Sequence, residues 1–349
     1  MNVCDQSENQ GALLGAARRL AETAYGLSQP LYINPLAGGR INQSFYVRTG
    51  QGEFVLQRLH AMFGLDGAVV INAAAAAESM ASAGLNAPLT VKTTYGQLWV
   101  DHEGLWRLSR LVPGRRMTAC AEKGCAEAVG YLGKFHRAMK EHPPQLAPVP
   151  AGDFVLPEPL RPSAWDTLLN NYRSAPEYAS VRDSLIRGRA MAAEIEKFEM
   201  TTVGVIHGDP KLDNFLFDES GRAVGLVDLD TVHIGSIVWE LADALRSMAC
   251  IREPGDHVRL NATVFRSVVE AYRAKGLPLT DQEWQALPSA MAGRALNLAW
   301  RYLKDVFEQS GFAWDRGNYP SHREQNLSRG NGMLLLAAEV LANQRELRA

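Results

Sequence analysis

The sequence is poor in cysteine, with four in 349 residues at Cys4, Cys120, Cys125 and Cys250. These spacings match neither a disulfide framework nor a CxxC zinc site, so the four read as reduced thiols. Charge of one sign is also missing: 36 Lys and Arg stand against 38 Asp and Glu, a formal net charge of −2. Such a balance gathers no polyanion, which argues against nucleic acid or an anionic membrane as partner. No apolar run approaches the roughly 18 to 20 residues of a membrane helix. The first ten residues carry Asp5 and Glu8 but no basic residue, unlike a targeting segment, and a cytoplasmic location is expected. What is present is 46% hydrophobic residues, enough for ordinary cores and, at roughly 150 residues per domain, for about two domains.

The texture changes along the chain. Extended runs at 41–48, 54–59, 98–100 and 105–111 are broken by Gly-Gln-Gly and Tyr-Gly turns. One alanine-rich stretch, 68–83, interrupts them; it predicts a helix ending at Gly84 with Pro88 beyond. After Pro113-Gly114, the spacing of Ala126, Val129, Leu132, Phe135 and Met139 predicts an amphipathic helix. The proline-rich tract 142–162 reads as a surface connection. A short strand at 203–206 leads into a polar loop at 207–214, then a hairpin of 215–217 and 224–227 around Asp218-Glu219-Ser220-Gly221. Further helices are expected at 238–248, 258–274, 284–307 and 332–345. The expected fold class is α+β in two lobes: residues 1–112, a small antiparallel sheet with one helix and a leading helix, and residues 113–349, mainly helical.

The polar loop and hairpin carry the chemistry. Transfer of a phosphoryl group to an alcohol needs a carboxylate to orient the hydroxyl and take its proton, metal ions on the phosphates, and cations over developing charge. Asp209 follows a strand and suits the base. Asn214 and Asp228, brought together by the hairpin, offer the hard oxygen ligands that Mg²⁺ prefers. Lys211, two residues after the base, reaches toward the transferring oxygens. Asp230, two residues beyond Asp228, either adds a metal ligand or orders the loop. Upstream, Gly38-Gly39-Arg40-Ile41-Asn42-Gln43-Ser44 joins two extended runs, and its glycines would let backbone amides approach phosphate oxygens. A Gly-Gly pair in a sheet is also often only a turn.

The string His207-Gly208-Asp209-Pro210-Lys211-Leu212-Asp213-Asn214 with Val227-Asp228-Leu229-Asp230 resembles the aminoglycoside phosphotransferase and choline kinase superfamily. Within it, Leu56-Gln57-Arg58, Asp228 to Thr231 and Asn326 to Arg329 are most similar to the N-acetylhexosamine 1-kinase group. The resemblance implies a protein-kinase-like fold and an ATP- and Mg²⁺-dependent kinase. An amino sugar or N-acetylhexosamine is the leading acceptor, with choline, homoserine or an aminoglycoside as alternatives. It makes Gly38, Gly39, Asn42 and Ser44 part of the nucleotide-covering loop, and His207 a support for the catalytic loop. Arg58 falls where kinases carry the phosphate-pairing lysine of the third strand; Glu78, the one acidic residue of the lobe's helix, would orient it. A surface charge is the plain alternative for Arg58, and a solvated side chain for Glu78. Ser109 to Val112, including Leu111, would form the hinge holding the adenine edge, or an ordinary strand end. Asp243 and Arg246, three apart on a helix, face either the acceptor or one another as a salt bridge. Trp165 or Tyr172 could stack on a sugar, although aromatics at such spacing are usually core.

Two readings from other classes compete. His207, Asp209, Asp228, Asp230 and His233 would suit a metallohydrolase, which leaves Asn214, the glycine loop and the two-lobe texture unexplained. A non-catalytic nucleotide-binding module predicts loss of a catalytic part, whereas base, amide ligand and acidic ligand are all retained.

Overall fold

Side-chain alternation organises the front of the molecule. The computed structural model describes residues 3–29, 31–36, 42–60, 67–117, 121–148, 160–195, 201–252 and 258–348. Gly38 and Gly39 of the expected glycine loop therefore lie outside the described residues. Helix α1 (Val3–Thr23) precedes strands β1 (Tyr32–Pro35), β2 (Gln43–Thr49) and β3 (Gly52–Arg58). Helix α2 (Ala68–Ser82) then leads to β4 (Thr90–Val91), β5 (Val100–Asp101) and β6 (Leu105–Arg110). All pair antiparallel in the order β1-β2-β3-β6-β4, with β5 also on β6. Phe45, Val47, Phe54, Leu56, Trp106 and Leu108 share one face and bury against Leu13, Ala17 and Leu20 of α1. Successive side chains of a strand point oppositely, so Ser44, Gln57, Arg107 and Ser109 occupy the other face.

Helix α2 belongs by packing to the second lobe. Its Ala73, Ala76, Ala77 and Met80 join that lobe's core, small side chains that permit close approach. The crossing between lobes is short. Gly114 has φ +130°, and a Cβ there would stand 2.9 Å from the Leu216 Cβ, so only glycine fits. Strand β7 (Arg115–Arg116) follows at once.

The second lobe contains α3 (Glu122–Glu141), α4 (Pro162–Asn171) and α5 (Tyr178–Glu194), then β8 (Val203–Ile206), β9 (Phe215–Phe217), β10 (Ala223–Leu226) and β11 (His233–Ser236). Helix α6 (Ile237–Met248), β12 (Cys250–Arg252), β13 (Val258–Leu260), α7 (Ala262–Lys275), α8 (Asp281–Glu308), α9 (His322–Ala342) and α10 (Gln344–Arg348) complete it. Strands β10-β9-β7 form one sheet, and β11 pairs with β8. The incoming chain at β7 is thus stitched directly onto the hairpin that carries the polar loop.

One expectation changes, and one open alternative closes on the side its spacing favoured. The helix foreseen from 258 begins at Ala262, because Val258–Leu260 pairs with β12 and the Asn261 side chain caps the helix by accepting from the Val264 amide. The aromatics after the proline-rich tract are packing groups. Trp165 is fully buried, and a Cβ on Gly188 would overlap its ring. Tyr172 stacks on Phe307 at 4.2 Å between ring centroids and donates to Glu308.

Glu283 fastens the start of α8 to the strand that enters the polar loop. It completes a capping box with Thr280 and accepts from the Thr202 amide at 2.7 Å and the Thr202 hydroxyl at 2.8 Å. Burial alone would raise its pKa; the amides of Thr280 and Thr202 and the threonine hydroxyls instead lower it from 4.5 to about 2. A depressed carboxylate contributes stability above its unfolded pKa, lost as pH falls through the folded value. Glu283→Gln is expected to cost roughly 1–3 kcal/mol in chemical denaturation at neutral pH. The gap to the unmodified protein should close as pH falls from 4.5 towards about 2; a pH-independent gap would contradict this.

Candidate active site

The loop between β8 and β9 is held from beneath by one carboxylate. Glu240 of α6, 2% exposed, accepts from the His207 amide at 3.0 Å and the Gly208 amide at 2.6 Å. Its Oε2 also meets His136 Nε2 at 2.5 Å, and His136 Nδ1 lies 2.7 Å from the Tyr272 hydroxyl. Burial works to raise the Glu240 pKa, but His136, His207 and the Gly208 amide together pull it below the usual range. The loop thereby rests on an anion that stays ionised. Gly208 has φ +86°, and a Cβ there would stand 2.4 Å from the Thr231 carbonyl oxygen. That close approach presses the loop onto the Leu229–Thr231 turn, where the Thr231 hydroxyl donates to the His207 carbonyl at 2.8 Å.

His207 is fully buried and ties the two halves of the site together, its Nε2 lying 3.0 Å from the Val227 carbonyl. Asp209, Lys211, Asn214 and Asp228 share this cradle. Lys211 donates to the Asp209 carboxylate. Burial lowers the Lys211 pKa, but Asp209, with Asp228 and Asp213, more than compensates and raises it. Asn214 is 2% exposed and its Nδ2 donates to the Asp209 carbonyl at 2.8 Å, with the Asp209 carboxylate at 3.3 Å. Both amide hydrogens are thereby directed at Asp209, which leaves Oδ1 as the free end. The Val227 amide donates to the Asn214 carbonyl at 3.0 Å, so the hairpin sets Asp228 beside Asn214.

Asp228 adopts the left-handed conformation, φ 68° and ψ 54°, rare for a non-glycine residue but tolerated best by Asp and Asn. Burial raises its pKa, and Asp230 and Asp209 raise it further against the pull of Lys211. Among the described residues, no hydrogen bond or ion pair engages its carboxylate. One unpartnered carboxylate, crowded by two others and with an amide oxygen alongside, suits a hard divalent cation that takes its remaining ligands from phosphate and water. Among the described residues no group of three His, Cys, Asp or Glu forms an all-protein metal cage.

Asp230 is placed differently from the metal-ligand expectation. Its Oδ2 accepts from Asn42 Nδ2 at 2.6 Å, and its Oδ1 lies 2.5 Å from Arg107 Nη1 as an ion pair without hydrogen-bond alignment. Both oxygens are engaged, so Asp230 clasps the small lobe instead of facing a metal. Asn42 in turn accepts the His60 amide at 2.9 Å, and Gln57 links Ser44 to Arg107: its amide donates to Ser44 at 3.1 Å and accepts from Arg107 Nη2 at 2.8 Å. A polar row thus crosses β2, β3 and β6 and ends at Asp230.

This row corrects the placement of Arg58. Gln57 faces the cleft, so Arg58, one residue on, points to the opposite face and donates to the Glu103 carbonyl. Arg107, 6% exposed, is the cation that faces the cleft. Its signal in the sequence was the alternation Trp106, Arg107, Leu108, Ser109 within an otherwise apolar strand. Glu78 does not meet Arg58 either; it is exposed on α2. Ser109 shares the cleft face, its hydroxyl 3.5 Å from the Val55 carbonyl. The Leu111 amide donates to the Glu53 carbonyl at 3.0 Å, so that particular N–H is already engaged. Asp243 and Arg246 form a salt bridge at 2.6 Å, and Arg294 Nη2 reaches the other Asp243 oxygen at 2.5 Å.

A small antiparallel lobe and a helical lobe, with Asp209, Asn214 and Asp228 gathered on loop and hairpin, give a two-lobed α+β, protein-kinase-like fold. The chain belongs to the phosphotransferase enzyme family, whose profile matches residues 33–293, and it is a small-molecule kinase. It is 25% identical over 302 residues to a homoserine kinase of Gluconobacter oxydans (strain 621H), covering 80% of this chain and 84% of that one. Two solved structures share the fold. A microcompartment-associated aminopropanol kinase superposes with TM-score 0.63 at 17% identity, covering 94% of this chain and 98% of that one. An amicoumacin kinase in complex with AMP-PNP, Ca²⁺ and Ami gives 0.61 at 14% identity, covering 90% and 92%.

Glu240→Gln removes one of two charged acceptors under the loop and orphans an amide. Differential scanning calorimetry is expected to show a loss of roughly 1–3 kcal/mol, and steady-state turnover a fall in kcat with little change in KM for nucleotide. An unaltered melt would mean the loop stands without this support.

Proposed function

We propose that the protein transfers the γ-phosphoryl group of ATP, with Mg²⁺, to a hydroxyl group of a small molecule. The observation that carries this reading is the joining of Asp209, Lys211, Asn214 and Asp228 in one cradle by the hairpin and the His207–Val227 contact. In this reading residues 1–112 hold the nucleotide and residues 113–349 supply catalysis and the acceptor site. Asp209 orients the acceptor hydroxyl and takes its proton as the oxygen bonds to the γ-phosphorus. The bond from that phosphorus to the bridging oxygen breaks and ADP departs. Lys211 pairs with Asp209 and offers positive charge at the transferring oxygens. Asn214 and Asp228 would hold the metal, which would neutralise charge on the phosphates. Asn42, Ser44 and Ser109 line the nucleotide side, while Arg107 supplies the phosphate-facing cation. Amino sugars, N-acetylhexosamines, choline, homoserine and aminoglycosides all present a suitable hydroxyl. The similarity to a homoserine kinase supports an acceptor smaller than a sugar.

Asp209→Asn is expected to lower kcat by at least about a hundredfold, within the range ascribed to general-base catalysis, with ATP binding by calorimetry unchanged. Asp228→Ala should lose the Mg²⁺-dependent part of that binding. Full turnover by the Asp209 variant would overturn the proposal. Arg107→Ala is expected to raise KM for ATP about tenfold, equivalent to ~1.4 kcal/mol, while Arg58→Ala stays within about twofold of the unmodified enzyme. The reverse order would restore Arg58 as the phosphate partner.

A further inference from the structure

The cation on the nucleotide side of the cleft is held in place by a neutral side chain on the next strand. Protein kinases carry a phosphate-pairing lysine on the third strand. Here the cleft face of β3 presents Gln57, and the guanidinium comes from Arg107 on β6. Ser44, Gln57 and Arg107 form one rung of the sheet, Ser44 being the register partner of Gln57 and Gln57 that of Arg107. Direct partners on antiparallel strands share a face with their Cβ atoms about 4.5–5.5 Å apart. Amide and guanidinium are therefore neighbours by strand register alone.

The rung fixes the orientation of each group. A guanidinium only donates, so the oxygen of the Gln57 amide must turn towards it. Gln57 Oε1 accepts from Arg107 Nε at 3.1 Å and from Nη2 at 2.8 Å, and the amide nitrogen, turned the other way, donates to the Ser44 hydroxyl at 3.1 Å. One edge of the guanidinium is thus spent inside the small lobe. On the second lobe's side, Nη1 lies 2.5 Å from Asp230 Oδ1 without hydrogen-bond alignment. Among the described residues Arg107 makes no other hydrogen bond or ion pair, so N–H groups of Nη1 and Nη2 remain for an oxyanion. Charge explains why the holder is an amide. Asp230 already balances the single charge of Arg107, and Asp228 lies close to Asp230. A carboxylate at position 57 would keep both contacts to the guanidinium but turn this wall negative towards phosphate.

We infer that Gln57 is the positioning residue for phosphate binding: it holds the Arg107 guanidinium edge-on to the cleft, so the phosphate cation is a two-residue unit shared between β3 and β6. This rests on the kinase reading above and deepens its nucleotide side. Gln57 acts only through Arg107 and takes part in no covalent step. Arg107 is 6% exposed, and without Gln57 it would lose two acceptor contacts in a place where water replaces them poorly. Because the two residues are register partners, a lysine at position 57 would bring its ammonium to the same opening from the neighbouring strand.

The test is equilibrium binding of ATP with Mg²⁺, and of adenosine, to the full chain, with KM for ATP measured alongside. Gln57→Glu and Gln57→Leu are each expected to weaken ATP binding at least about fivefold, as for a lost charge-assisted contact, while adenosine binding stays within about twofold of the unmodified protein. Arg107→Gln should weaken ATP binding about tenfold, and Gln57→Leu added to it should cost no more than about a further twofold, because the holder then has nothing to hold. Gln57→Lys in the Arg107→Gln background is expected to return ATP affinity to within about threefold of the unmodified protein. A purely structural role would lower ATP and adenosine binding together and make the losses additive. Either result would overturn the inference, as would normal ATP binding by Gln57→Glu or a lysine double variant no better than Arg107→Gln alone. Gln57→Glu conserves size and both acceptor contacts, so the outcome does not depend on the leucine variant folding. Failure of these predictions in a protein that still phosphorylates an alcohol leaves the kinase reading intact. No Mg²⁺-dependent ATP binding, with no turnover of L-homoserine, choline, 1-amino-2-propanol or N-acetylgalactosamine, would overturn both.

Discussion

A buried carboxylate under the catalytic loop is the constraint on which the rest depends. Glu240 receives two consecutive loop amides and the ring of His136, so three elements, α3, α6 and the loop, meet at one anion. A buried charge is tolerated only when paired and hydrogen-bonded, and here it has both. The strained partner segment follows from this: with Gly208 pressed onto Thr231 and His207 linked to Val227, Asp228 is held in the left-handed conformation.

The second constraint is the way the lobes are joined. Covalent connection is brief, from Val112 through Gly114 to β7, and β7 pairs with the catalytic hairpin. Non-covalent connection runs through Asp230, which receives Asn42 and Arg107 from the sheet. The turn after the hairpin therefore carries Asp228, whose carboxylate has no partner among the described residues, and Asp230, whose carboxylate is engaged by the small lobe.

Legibility differed by element. That the string from His207 to Asn214 forms one polar loop was readable because it depends on local spacing: carboxylate, cation and amide lie within six residues, and the structure gathers them. The long helices were readable from periodicity, and α2 from its alanines, but not that α2 would pack into the other lobe. Trp165 and Tyr172 invited a ligand reading that packing removed, since Gly188 and Phe307 occupy their faces. Asp243 and Arg246 were legible as a pair. The third member, Arg294, lies 51 residues from Asp243, beyond any local pattern.

The sequence by itself determined the class of protein and its layout: a small-molecule kinase with a small sheet in front, helices behind and a polar loop and hairpin between, because periodicity and short-range spacing suffice for these. Tertiary structure decided which cation faces the cleft. Strand register turned Gln57 inward and Arg58 outward, and cross-strand pairing brought Arg107 to the position the eye had assigned elsewhere. It decided equally that Asp230 is a clasp and that two arginines crowd one aspartate. Each outcome depends on long-range contacts between segments whose order along the chain says nothing about their distance in space.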